Sequence, residues 1–127
     1  MKTRYPELSP YITRDGSEIR ELMHPEHHRA LGARAQSLAE ARVPAGQSTH
    51  AHRHLRSEEI YHIQAGHGRM RLGEAWFEVA PGDTICIPPG TVHALHNSGT
   101  DTLVVLCACS PPYAHEDTEL TDDSGAR

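Results

Sequence analysis

Turn-forming glycine and proline interrupt the chain at short intervals between Leu38 and Cys109. They fall at Pro44-Ala45-Gly46, Ala65-Gly66, Gly73-Glu74, Pro81-Gly82-Asp83, Pro88-Pro89-Gly90 and Asn97-Ser98-Gly99. The longest stretch between them is divided by the polar turn Leu55 to Glu58. What remains is a series of short segments, too brief for ordinary helices and rich in strand-forming residues. The predicted strands are 38–43, 49–54, 59–64, 69–72, 76–79, 84–87, 91–97 and 103–109. Many short strands joined by Gly/Pro turns predict an all-β sandwich or barrel.

The rest of the chain is organised around that barrel. Residues 1–9 read as a flexible N-terminal arm, 10–120 as one barrel domain, and 121–127 as a disordered acidic tail. Asp15-Gly16 is a turn signal. Residues 17–23 form either one helical turn or an edge segment, and 24–34 a polar loop carrying His24, His27 and His28. Tyr113, His115, Glu116 and Asp117 follow a Pro-Pro stop, and either close over the barrel mouth or pack as a tail.

Four side chains in this framework can hold a divalent transition metal: His52, His54, Glu59 and His93. Alternate residues of a strand share a face, so His52 and His54 point the same way, about 7 Å apart at the backbone. The turn after His54 lets Glu59 return from the adjacent strand, and the Pro-Gly turn before His93 can bring that residue against the other three. Glu58 is the alternative carboxylate. His50 shares the face of His52 and His54, as a fifth ligand, a proton shuttle or a histidine at the barrel mouth. Tyr61 shares the face of Glu59 and is the candidate acid, base or hydrogen-bond donor. Ile63, Leu95, Met70, Leu72, Phe77, Val79 and one of two alternating pairs, Ile85/Ile87 or Thr84/Cys86, supply the walls. His62 and His96 are out of phase and belong outside. Asn97 reads as a backbone-bonding residue.

Composition narrows the partners. Twelve basic against 17 acidic residues give a net charge of −5, which favours neither nucleic acid nor an anionic membrane. No apolar run approaches spanning length and no signal-peptide core is visible, so a cytoplasmic location is expected. Cys86, Cys107 and Cys109 form no CxxC pair and read as strand fillers.

Both ligand pairs sit in longer patterns. The first is Gly46, five residues, His52-Arg53-His54, four residues, Glu59, six residues, Gly66. The second is Gly82, five residues, Pro88-Pro89-Gly90, two residues, His93, three residues, Asn97. Together they resemble the two motifs of the cupin superfamily. The flanking Pro10-Tyr11-Ile12-Thr13 and Cys109-Ser110-Pro111-Pro112-Tyr113 are similar to small single-domain bacterial cupins of the mannose-6-phosphate-isomerase-like group. The resemblance implies a cupin jelly-roll β-barrel with His52, His54, Glu59 and His93 as metal ligands. It implies one divalent metal, Fe2+ or Mn2+ favoured and Ni2+, Cu2+ or Zn2+ possible, and a small-molecule substrate. A homodimer is also expected, with the segment before Gln36 as the piece most open to swapping. The leading expectation is an oxidoreductase of dioxygenase type. The alternatives are a metal-dependent isomerase, decarboxylase or lyase, and a non-catalytic metal- or ligand-binding cupin. Arg and Lys do not cluster with glycine as a phosphate site requires.

Overall fold

A computed structural model describes residues 1–121, so residues 122–127 of the expected acidic tail lie outside the described residues. Eleven strands are present among the described residues. They are β1 (Tyr11–Ile12), β2 (Glu18–Met23), β3 (Ser37–Val43), β4 (His52–His54), β5 (Glu58–Ala65), β6 (Gly68–Leu72), β7 (Ala75–Val79), β8 (Thr84–Ile87), β9 (His93–His96), β10 (Leu103–Ser110) and β11 (Thr118–Leu120). The paired strands are antiparallel and form two sheets, ordered β1-β2-β3-β10-β5-β8 and β11-β4-β9-β6-β7. This is the all-β architecture expected from the spaced turns, in the jelly-roll form that the cupin resemblance implied.

Alternation along the strands decides what faces inward. In β5, Glu59, Tyr61 and Ile63 are buried while Glu58, Ile60 and His62 are exposed. In β8 the buried pair is Ile85 and Ile87, with Thr84 and Cys86 outside. The core gathers Ile63, Met70, Ile87, Leu103 and Val105, all essentially inaccessible. Each such side chain contributes about 1.5–3 kcal/mol by leaving water. Gly66, at φ 85°, closes the β5–β6 connection against the backbone of Thr102 and Leu103. A Cβ there would lie 2.6 Å from the Thr102 carbonyl oxygen. That close approach admits only glycine.

Several segments differ from the sequence reading. Residues 18–23 form a six-residue strand, because β2 pairs along β3 from Glu18↔Arg42 to Met23↔Leu38. The strand expected from Thr49 contracts to His52–His54. The Asp15 carbonyl takes the His50 amide at 2.7 Å, and the Leu95 carbonyl takes that of Thr49 at 2.9 Å. The chain after Pro112 supplies a strand, β11, paired with β4 through Thr118↔His54 and Leu120↔His52. Residues 1–9, expected as an arm, lie against the barrel: the Thr3 hydroxyl donates to the Leu22 carbonyl and the Tyr5 hydroxyl to Glu40. His24 is buried rather than solvated, and its Nε2–H donates to the Tyr113 carbonyl at 2.7 Å. No helix among the described residues is long and apolar enough to cross a membrane.

Candidate metal centre

Strand register brings the histidines together. His52 of β4 lies directly opposite His93 of β9, with ring centroids 4.2 Å apart. His54, two residues along β4, lies 5.1 Å from His52 and 5.4 Å from His93, ring to ring. One nitrogen from each of the three falls within 4.8 Å of the others. Glu59 enters from the facing six-stranded sheet. Its Oε1 stands 3.0 Å from His54 Nε2 and 3.4 Å from His93 Nε2. All four side chains are buried.

The outer nitrogens fix the tautomers. His52 Nδ1–H donates to the His50 carbonyl at 2.9 Å, and His93 Nδ1–H to the Thr91 carbonyl at 2.9 Å. The Thr118 hydroxyl donates to the Ala114 carbonyl and so accepts from His54 Nδ1–H at 3.1 Å. Neutral rings held this way turn their Nε2 lone pairs inward, as metal-binding imidazoles require. The contacts of Glu59 Oε1 then join acceptor to acceptor unless a proton or a metal cation lies between them. Glu59 Oε1 and His93 Nε2 are accordingly buried without a hydrogen-bond partner. Buried polar atoms are rarely left so, and two in contact fit a divalent cation.

Electrostatics agree with that arrangement. Burial and the adjacent His93 lower the His52 pKa to about 4, so its ring is neutral near pH 7. Burial pushes Glu59 upward, but the adjacent His54 and His93 rings, where they carry a proton, outweigh it and hold the carboxyl below the usual range. Burial pulls His54 down, and Glu59 beside its Nε2 raises it by more, so without a metal a proton is favoured between these two atoms, in the place a cation would take. Burial and the Glu59 charge raise the Tyr61 phenol well above its ordinary value. Tyr61 is therefore a neutral donor.

The centre opens into a cavity of about 590 Å³, mouth included, lined from both sheets. Tyr61 lines it, 5.8 Å from the His93 ring. The structure separates the other candidates. The His50 side chain is exposed and absent from the cavity lining, and only its carbonyl serves the centre. Glu58 faces outward, while His62 and His96 bond Thr84 and Ser48 outside the cavity.

Sequence reasoning missed Asp15, whose Oδ2 lies 3.7 Å from His52 Nε2, and Glu21, which lines the cavity. It also missed Cys109, whose Sγ lies 3.5 Å from Glu59 Oε2. Tyr113 was left between lid and tail; its ring lies 5.8 Å from that of His54 at the cavity wall.

The turn joining β4 to β5 sets the distance between His54 and Glu59. Asp117 pins it, accepting the Arg56 amide at 2.9 Å and the Ser57 amide at 3.1 Å. Burial raises the Asp117 pKa, but these N–H groups outweigh it and leave the value lowered. The resulting stabilisation is complete above the ordinary aspartate pKa and is lost as pH falls through the lowered one. Asp117→Ala is expected to cost about 1–3 kcal/mol near neutrality. Urea titrations at pH 7 and at pH 3 check this, since the difference from wild type must narrow in acid.

Residues 39–109 match the family model described as a cupin domain. An uncharacterized protein of Methanocaldococcus jannaschii is 52% identical over 122 residues, 96% of this chain and 95% of that protein. The oxalate-binding protein of Thermotoga maritima is 28% identical over 109 residues, 84% of this chain and 90% of that one. Among solved structures, a predicted oxalate decarboxylase of Thermotoga maritima superposes with a TM-score of 0.74 at 25% identity. That match covers 87% of this chain and 99% of the other. The oxalate decarboxylase of Lactobacillus farciminis in its formate complex shares the fold, with a TM-score of 0.77 at 20% identity. It spans 92% of this chain and 34% of that one.

Proposed function

The chain belongs to the cupin family, and from that premise we propose that it is a metal-dependent enzyme acting on a small oxygen-bearing molecule. His52, His54, Glu59 and His93 are its ligands for one divalent transition metal. The observation that carries this reading is the buried contact of Glu59 Oε1 with His93 Nε2, two acceptors without hydrogen-bond partners. Fe2+ and Mn2+ suit the mixed nitrogen and oxygen donors, and Ni2+, Cu2+ and Zn2+ share them. When bound, the ion supplies Lewis-acid polarisation of a ligand oxygen.

The chain's own residues do the rest. The carbonyls of His50 and Thr91 and the Thr118 hydroxyl hold the imidazoles in one tautomer. Tyr61, neutral and buried, donates a hydrogen bond or proton to the bound molecule. Val43, Leu95 and Ile19 keep water from that side of the cavity. The neutral phenol suits the proton donation that isomerisation, decarboxylation or elimination needs. The predicted oxalate decarboxylase of Thermotoga maritima supports decarboxylation within that set, and the oxalate-binding protein of the same organism supports small-ligand binding. Dioxygenation, the leading expectation from sequence, is the redox alternative that the same ligands allow.

Elemental analysis of protein purified without chelator is expected to find about one divalent metal per chain, as a single four-residue site requires. Tyr61→Phe is expected to keep that metal and lose about 100-fold in kcat, the size of a positioned acid's contribution. Turnover that continues without O₂ selects the non-redox chemistry; turnover that stops selects dioxygenation. Binding of small molecules without consumption would instead make the chain a non-catalytic ligand-binding cupin.

We further propose a homodimer formed through the outer face of the six-stranded sheet. Register aligns an apolar row there, Met23–Leu38–Ala108–Ile60–Cys86, across five strands. Leu38 is 38% exposed and Ile60 43%. Ile60→Lys is expected to halve the mass seen by light scattering. A monomeric wild type overturns the dimer.

A further inference from the structure

A row of residues crosses the inner face of the six-stranded sheet: Glu21 on β2, Ala39 on β3, Cys107 on β10, Tyr61 on β5 and Ile85 on β8. Glu21, Ala39, Cys107 and Tyr61 of this row line the cavity. The small Ala39 and Cys107 leave room between Glu21 and Tyr61. Three strand spacings separate those two, about 14 Å measured along the sheet. One end of the cavity is thus the metal centre with Tyr61, and the other is Glu21.

Glu21 is 4% exposed. Its Oε2 accepts the Tyr11 hydroxyl at 2.7 Å, while Oε1 has no hydrogen-bond partner. A buried carboxylate oxygen left unpaired is costly. It matches a ligand group that donates. Asp15 adds a second carboxylate to the wall, with its Oδ2 3.7 Å from His52 Nε2. Its Oδ1 is already occupied by the Ser17 amide and by the hydroxyls of Thr13 and Ser17. Among the described residues, the cavity walls carry Asp15, Glu21 and Glu59 but neither lysine nor arginine.

We propose that Glu21, held by Tyr11, is a second recognition pole that accepts a hydrogen bond from the ligand. The ligand class is then a neutral or cationic polyhydroxy or amino compound, and not a dianion such as oxalate. This rests on the metal-end reading above for the ligand's other contact. A dianion entering this cavity meets the carboxylates of Asp15 and Glu21 besides Glu59, with no lysine or arginine among the described wall residues to balance it. A sugar or amino sugar instead brings hydroxyl or ammonium donors to Glu21 and an oxygen to the centre.

Isothermal titration calorimetry of the metal-loaded protein with glucosamine, mannose and oxalate tests the proposal. Glucosamine is expected to bind at least tenfold more tightly than oxalate, with mannose between them. Glu21→Gln, which keeps the acceptor for Tyr11, is expected to weaken glucosamine at least tenfold without weakening oxalate. Oxalate binding as tightly as glucosamine overturns the proposal. So does a folded Glu21→Gln variant that binds glucosamine like the wild type. If that variant does not fold, Tyr11→Phe reads the same pole. It removes the hydroxyl that holds Glu21 and is expected to weaken glucosamine without weakening oxalate, and a folded variant that binds glucosamine like the wild type overturns the pole. Thermal shifts in EDTA separate the two readings. A Glu21-dependent stabilisation by glucosamine that survives EDTA keeps the pole even where elemental analysis finds no metal. Metal uptake without that stabilisation keeps the metal centre and removes the pole.

Discussion

His93→Ala is expected to lower divalent-metal affinity by more than about 100-fold, beyond what losing an outer-shell hydrogen bond does. The reason is positional. His93 is 0% exposed and sits between His52, 4.2 Å away ring to ring, and Glu59, whose Oε1 is 3.4 Å from its Nε2. No other imidazole among the described residues can take that place, since His96 turns to Ser48 and His50 is exposed. The substitution also opens a cavity, at a cost of about 2–4 kcal/mol if the surroundings do not collapse. Competition against a chromophoric chelator gives the affinity, and thermal unfolding in EDTA gives the metal-free stability. The two must be measured together. A variant that unfolds in the presence and absence of metal alike says nothing of ligation, whereas one folded in EDTA and blind to metal identifies His93 as a ligand. Glu59→Gln makes the complementary test. It removes the charge, keeps the shape, and is expected to weaken metal binding. Wild-type affinity in either variant removes the proposed ligand set.

The centre was legible because its parts lie close in sequence or on alternating positions. His52 and His54 share a face by strand geometry alone, and the turn at Leu55–Glu58 returns the chain at Glu59. The phase of β5 then placed Tyr61 and Ile63 inside and His62 outside, as found. The contribution of His93 needed more, because its register against His52 depends on pairing across two connections. There the spaced motif carried information that periodicity lacks. What stayed hidden came from the N-terminal segment and the C-terminal strand. Glu21 sits in a strand with polar residues on both faces, so alternation gives no inward side. Asp15 read as a turn residue, and its approach to His52 follows from the Asp15–His50 backbone contact. β11 has three residues, too few to show a period. His24 looked like one of a solvated trio. Its burial follows from a partner 89 positions away, the Tyr113 carbonyl.

The largest stability effect away from the centre is expected at Asn97. The sequence reading assigned Asn97 to backbone bonding, and the structure shows three such bonds. Its Nδ2 donates to the Val43 and Asp101 carbonyls, each at 2.8 Å, and its Oδ1 accepts the Gly99 amide at 2.9 Å. The side chain is 0% exposed, so no water replaces these partners when it is removed. It ties the end of β3 to the turn between β9 and β10, beneath the strand that carries His93. Asn97→Ala leaves three backbone groups unsatisfied, two of them carbonyls that retain some capacity elsewhere, and is expected to cost about 3–5 kcal/mol. Native domains hold only about 5–15 kcal/mol in all, so the variant stands near the threshold of folding. The melting temperature is expected to fall by roughly 10–20 °C for a chain of this size. Asn97→Asp separates hydrogen bonding from packing. It preserves volume and the Gly99 contact but turns a carboxylate oxygen toward two carbonyls, so it must destabilise at least as much as alanine. If aspartate were tolerated and alanine not, packing rather than hydrogen bonding would be what Asn97 supplies. A metal-bound Asn97→Ala protein with wild-type affinity at low temperature would show that the turn stabilises the barrel without shaping the centre.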